Sequence, residues 1–387
     1  MINKNEEKLK ILTLLNKGNG LSRIELNNVL KLRPTTLNEI IKEQIEVNLL
    51  HEPDRKTWKT GAKSHKLYIN PNYGNLFGLD MGSSCLKAVI TDFNGKILYS
   101  THGKYYKKKN ADDLFKELYF LTNQIRKDEP ELWNSIIGLG VADPGPVNSI
   151  DGTSLFAFNI KGWKDVKTVD ILTQHFGWPV SIHSSSQTKA IAEYFFVKEN
   201  LESLFVVDMG HGIGAAFIKK NELYRGFFNT EMELGHIIIK RNGRQCVCGH
   251  RGCLEAEIGS EGIIAKFYKK LSDIGMLRHP DKVTLQDIYS CCLKNDPLSL
   301  LLLNEVADLL AFGLSSAIQL LNPEKIVIHG PVDVIGESFA KSLKHKLAFY
   351  CFPEIVEKTS VSCSTSDEFL AAVGASLAIR KKLLFKY

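Results

Sequence analysis

The strongest constraint on the fold is a pattern that occurs twice. Residues 75–100 (NLFGLDMGSSCLKAVITDFNGKILYS) and 204–218 (LFVVDMGHGIGAAFI) each carry an apolar run into a glycine-rich turn and out into a second apolar run. Short apolar runs bounded by glycine, serine and asparagine read as β-strands, and Asp92-Phe-Asn-Gly95 adds a second hairpin turn to the first copy. A helical pattern and a further buried strand follow each time. They are residues 111–127 with IIGLGVADPGPVN (136–148), and residues 298–321 with EKIVIHGPV. Residues 186–199 and 368–382 are also helical in pattern. This duplication predicts an α/β protein of two similar lobes. The chain has 387 residues, which leaves room for a further domain.

That domain is expected at the N-terminus. Residues 1–70 hold 13 Lys+Arg and 8 Asp+Glu, a balance of +5, whereas the other 317 residues carry only +1 of the net +6. Anionic partners, nucleic acid above all, are therefore expected at this end. Residues 6–17 read as a helix stopped by Gly18 and Gly20. Ser22 with Glu25 forms a capping box for a second helix carrying Ile24, Leu26, Val29 and Leu30. Lys31-Leu32-Arg33 is a tight turn. Pro34 opens a third helix with Leu37, Ile40, Ile41 and Ile45. Two helices, a turn and a longer helix make a helix-turn-helix. Arg55 to Lys66 then has five basic residues and no acid before a strand at Lys66–Ile69, the composition of a β-hairpin wing. On this reading Arg33 from the turn and Thr35, Thr36, Asn38 and Lys42 from the third helix face double-stranded DNA, with Arg55, Lys59, Lys63 and Lys66 from the wing. A helical dimerisation module fits the same pattern.

Of eight cysteines, Cys85, Cys351 and Cys363 are scattered, Cys291 and Cys292 are adjacent, and Cys246, Cys248 and Cys253 cluster. His236 precedes the cluster by nine intervening residues, giving a Cys3His set on a glycine-rich loop. Thiolates with one imidazole suit Zn2+, and four protein ligands close the shell, so the metal would be structural. The alternative is three buried thiols and a core histidine. No run of about 18 apolar residues is present, so no membrane insertion is expected. The N-terminus has acids where a signal peptide has bases, which points to the cytoplasm.

Several segments resemble the ROK family of repressors, open reading frames and sugar kinases, over residues 5–385. They are LSRIEL (21–26), Leu32–Leu50, Asp80-Met-Gly82-Ser-Ser84-Cys-Leu-Lys87, ADPGPVN, Asn159-Ile-Lys-Gly-Trp163, Gly210-His-Gly-Ile-Gly214, Glu233-Leu-Gly-His236, CVCGHRGCLE (246–255) and LNPEKIVIHG (321–330). The resemblance implies an actin/hexokinase-like, two-lobed domain of duplicated α/β lobes at 73–387, behind a winged helix-turn-helix at 1–72. Lobe 1 would span about 73–183 plus 368–387, and lobe 2 about 184–367 with a zinc loop at 233–255. It also implies that Glu233, His236 and Glu255 meet sugar hydroxyls, with Asn159 as a further contact. Glu233 and Glu255 could instead only orient the metal ligands.

Kinases of this family carry an Asn-Asp pair whose Asp takes the sugar proton. Here Ser184 and Ser185 stand at those positions. A serine hydroxyl is no general base unaided, and losing the base costs about 10²–10⁴-fold. The serines could still hydrogen-bond a sugar. The nucleotide side keeps Asp80, Gly82, Ser84, Lys87, Gly210 and Gly212 as remnants, but Ser83, His211 and His329 replace a glycine, a threonine and a glycine. Hairpin geometry alone would explain Gly210, Gly212 and Gly214. The expectation is a non-enzymatic regulator, binding a palindromic operator as a homodimer or homotetramer and sensing a small-molecule sugar. An active ATP-dependent sugar kinase and a partner-controlled repressor with a vestigial site are the alternatives.

Overall fold

The computed structural model describes residues 4–16, 20–53, 66–82, 85–104, 109–157, 160–197, 201–276 and 283–384. The chain forms two compact units, Met1–Thr188 with Ala371–Tyr387, and Lys189–Leu370.

The first unit begins with helices Lys4–Leu15, Arg23–Leu30 and Pro34–Glu46. The capping box forms as the sequence requires. Glu25 N donates to Ser22 Oγ at 3.2 Å, and Ser22 N donates to Glu25 Oε2 at 2.7 Å. Lys31 takes a left-handed φ of 52° to end the second helix, and Pro34 starts the third. Strand Lys66–Ile69 pairs antiparallel with Leu21–Ser22 on one side and Leu50–His51 on the other. Ile11, Leu12, Leu15, Leu26, Leu37, Ile40 and Ile41 form the core of this head. Ile24 and Val29 stay 69% and 62% exposed, because a helix of two turns reaches the core with one side only.

The head core continues into Leu76, Phe93, Ile379 and Leu384 of the sheet-bearing part. There five strands lie in the order Val180–Ser184, Ile136–Asp143, Asn75–Asp80, Lys87–Thr91, Ile97–His102, the first three parallel. The hairpin turn closes with Asp92 N donating to Lys96 O at 2.9 Å, and Gly95 takes a φ of 81°. The closing helix Leu370–Leu384 lies with its backbone on this sheet. A Cβ added to Gly78 or Gly140 would stand 2.0 or 1.8 Å from the carbonyl oxygens of Ala372 and Ala375.

The second unit repeats the design. Its strands run Glu222–Leu223, Ile213–Lys219, Ser203–Met209, Lys325–His329, Ser360–Cys363. Numbered within their own sheets, one set reads fifth, fourth, first, second, third and the other, read from its opposite edge, fifth, fourth, first, second, third, so the duplication seen in the sequence is carried into topology. Helix Pro297–Leu321 is long and apolar enough to cross a membrane by length and composition, a match the absence of an unbroken apolar run did not foresee. It buries Leu302, Val306, Leu310, Leu314 and Ile318 against the sheet, as the core helix of the unit.

Candidate metal knuckle and ligand site

In the second unit, the segment after the first hairpin folds back on itself. Ile238 bridges Cys253, Gln245 bridges Arg251, and Cys246 N donates to His250 O at 2.8 Å. Gly252, at φ 76°, is forced, since a Cβ there would lie 1.7 Å from Lys240 O. The buried carboxylate of Glu257 holds this turn from below. It accepts from Arg244 N at 2.8 Å and faces Lys266 at 3.7 Å.

This folding brings four donor atoms together. The ligand atoms of His236, Cys246, Cys248 and Cys253 all lie within 4.8 Å of one another. His236 Nδ1 is 3.6 Å from Cys246 Sγ, and Cys248 Sγ is 3.6 Å from Cys253 Sγ. A tetrahedral ion with metal–sulfur bonds of about 2.3 Å has edges of roughly 3.7 Å, so this donor set fits a metal ion. Cys253 is fully buried and its thiol is pushed up to about 12, first by burial and then by the neighbouring thiols. Burial raises the Cys248 thiol, but hydrogen bonds with His250 and the other two thiols outweigh it and hold it at about 6.

With Nδ1 turned to the cysteines, His236 turns Nε2 toward Glu233 Oε2, 3.9 Å away. Partial desolvation first, then repulsion from Glu255 and Glu231 against the attraction of His236, raises the Glu233 pKa. Glu233, His236 and Glu255 therefore share one site. Glu255 also pins the first hairpin, because its Oε2 accepts from Ile213 N at 2.9 Å. A Cβ on Gly212 would meet that oxygen at 2.4 Å, so hairpin geometry does not account for Gly212; the Glu255 carboxylate does. Gly210 meets no such neighbour, and its N donates to Gly212 O at 2.9 Å.

In the first unit, Asp80, Asp143 and Ser184 stand at the carboxyl ends of three parallel strands. Ser184 caps the helix Ser185–Phe196: its Oγ accepts from Gln187 N at 3.3 Å, and its own N donates to Gln187 Oε1 at 3.1 Å. Asp80 pairs with Lys87 in strand register, and Gly82 follows it near Cys85 O. Asp143, which sequence reasoning passed over, is fully buried. Its pKa is pushed up to about 7, by burial first, against hydrogen bonds from Gly145 and Ser154, with Asp80 adding repulsion.

In the head, Arg33, Thr35, Asn38 and Lys42 are exposed on the turn and third helix, and Thr36 is half-buried. Thr35, Asn38 and Lys42 share one face of the third helix. Asn38 Oδ1 accepts from Arg23 Nε at 3.1 Å, and Arg23 also pairs with Glu52. Lys66 is half-buried at the start of the central strand. Arg55, Lys59, Lys63, Ser84 and Asn159 lie outside the described residues.

The xylose repressor of Caldicellulosiruptor bescii is 26% identical over 344 residues, 87% of this chain and 86% of its own. A crystallised ROK family transcriptional regulator, a homologue of the E. coli MLC protein, superposes with a TM-score of 0.84 at 22% identity, covering 99% of this chain and 96% of that one. A ROK family glucokinase from Streptomyces griseus, in complex with glucose and AMPPNP, gives 0.69 at 22% identity and covers 78% of this chain and 98% of that one. The ROK family profile itself matches residues 76–382, and the chain belongs to the ROK family.

Proposed function

We propose that the protein is a sugar-responsive, DNA-binding transcriptional repressor whose ROK domain binds its ligand without phosphorylating it. The observation that carries this reading is coverage. A regulator matches 99% of the chain, head included, while the glucokinase, aligned over 98% of its own length, covers 78% of this one. The serines support it: Ser184 is engaged as a helix cap and Ser185 offers no base.

His236, Cys246, Cys248 and Cys253 would hold Zn2+, which supplies a rigid, redox-inert knot with no open position. The chain then does the rest. With Nδ1 turned to the cysteines as a ligand, His236 would carry its hydrogen on Nε2 and donate it to a sugar oxygen. Glu233 and the second oxygen of Glu255 accept from sugar hydroxyls, and Asn159, Ser184 and Ser185 would add contacts. A site that pairs hydroxyls rejects analogues lacking them. Arg33, Thr35, Thr36, Asn38 and Lys42, with Arg55, Lys59, Lys63 and Lys66, would meet the two halves of a palindromic operator. The protein would act as a homodimer or homotetramer in the cytoplasm.

Thermal unfolding of the zinc-loaded protein against a panel of monosaccharides, aminosugars and sugar phosphates tests the ligand reading, with xylose first because of the repressor relatives. At about 100 times its Kd a ligand stabilises by roughly 2.7 kcal/mol. A shift independent of Mg-ATP, with no sugar-dependent ADP release, is expected. Sugar-dependent ADP release would instead establish a kinase.

A further inference from the structure

The closing helix Leu370–Leu384 ends against the DNA-binding head, and one side chain there stands out. Arg380 is 1% exposed, among the largest fully buried side chains of the chain. Its guanidinium donates to Asn16 Oδ1, just past the first head helix, and to Asn94 Oδ1 at 3.3 Å, in the hairpin turn of the sheet. It lies over the Phe93 ring, 5.3 Å from the centroid. Asn94 in turn donates from Nδ2 to Ile69 O at 3.3 Å, at the end of the head's central strand. Arg380 thus joins the closing helix to the end of the first head helix and to the turn of the large sheet, and Asn94 carries the link on to the head's β-sheet.

The rest of this junction is an apolar seam. Leu76, Phe93, Ile379 and Leu384 merge with the core of the head. Apolar contact holds two bodies together without fixing their angle, because it is non-directional. A guanidinium with acceptors on different elements fixes it, since its donors lie in one plane at set directions. Burying that charge is costly. Burial lowers its pKa to about 9 against the pull of Asp92, so it remains charged at neutral pH. The helix that carries it cannot drift, because Gly78 and Gly140 leave room for its backbone and Thr91 Oγ1 bonds Ser376 Oγ at 3.1 Å in the core.

We infer that Arg380 is a positioning residue for operator recognition: it sets the angle at which the head is held, and so the register in which two heads meet two half-sites. This rests on the DNA-binding reading above. Phosphate contacts by single heads are independent of that angle, whereas a palindrome requires both third helices one helical turn apart, about 34 Å.

The test uses the full-length, zinc-loaded chain, and two duplexes of equal length at one salt concentration. One is a palindrome enriched by the wild type from a random library, the other a random sequence. Arg380→Met keeps an apolar chain in the pocket. Asn16→Ala removes the acceptor on the head and leaves the closing helix intact, so it carries the test if Arg380→Met does not fold. Each variant is expected to lose at least about tenfold in affinity for the palindrome while binding random DNA within about twofold of wild type. Wild-type affinity for the palindrome in the folded variants overturns the inference, and so does an equal loss on both duplexes. A wild type that enriches no sequence overturns the DNA-binding reading and this inference with it.

Discussion

Replacing Cys253 by serine removes one of four donors at the most deeply buried corner of the knuckle. Cys253 is fully buried and its successor, Leu254, starts a helix whose Leu254 and Ile258 belong to the core of the second unit. Loss of the metal therefore loosens a core element as well as a loop. Structural zinc contributes about 10–16 kcal/mol in small zinc-finger peptides, and an even division over four ligands gives roughly 2.5–4 kcal/mol for one thiolate. At about 2–4 °C per kcal/mol for a unit of this size, the expected fall in Tm is about 10 °C. The assay is metal content per chain together with a thermal scan, on Cys253→Ser and on a control, His250→Ala. His250 Nδ1 lies 3.5 Å from Cys248 Sγ, but the residue is exposed and outside the four-donor cluster. The control is expected to keep its metal and change stability by about 0.5 kcal/mol or less. Full metal content and an unchanged Tm in Cys253→Ser, or metal loss in His250→Ala, would refute this assignment of ligands.

Glu255→Gln keeps an oxygen for Ile213 N but loses the charge, so stability is expected to change by about 1 kcal/mol or less while stabilisation by sugar disappears; the thermal scan reads both. Gly140→Ala puts a carbon where the Ala375 carbonyl oxygen stands, and the closing helix must shift; a loss of about 2–3 kcal/mol is expected in urea unfolding. Asp143 titrates near 4 unfolded and at about 7 folded, so the native state holds its proton longer. Its contribution is complete below about pH 4 and is lost as pH rises toward 7, at up to about 1.4 kcal/mol per unit. Asp143→Asn should flatten that slope, and a slope unchanged in the variant would locate the titration elsewhere.

Much of this was legible in the sequence because it rests on local chemistry. The repeated strand-turn-strand pattern carries the two sheets, the Ser22–Glu25 spacing carries the capping box, and the His236 to Cys253 spacing carries the knuckle. The Ser184-x-x-Gln187 spacing is itself a capping signal, which a comparison of Ser184 with a kinase residue leaves aside. Other features had no local signal. Arg380 and Glu257 look like ordinary surface charges until the fold buries them, since burial is decided by residues distant in the chain. Gly78 and Gly140 read as weak points in strands, and only the approach of the closing helix explains them. Gly212 answers to Glu255, 43 residues away by number, which no turn rule supplies.

The most direct test of the account is the affinity of the full-length protein for an enriched palindrome, measured with and without the sugar that stabilises it, while ADP release is followed with Mg-ATP present. Coupling between two sites commonly amounts to about 1–3 kcal/mol, so a change of roughly 5–150-fold in DNA affinity without sugar-dependent ADP is the result expected. DNA affinity that does not respond to a bound sugar would contradict it.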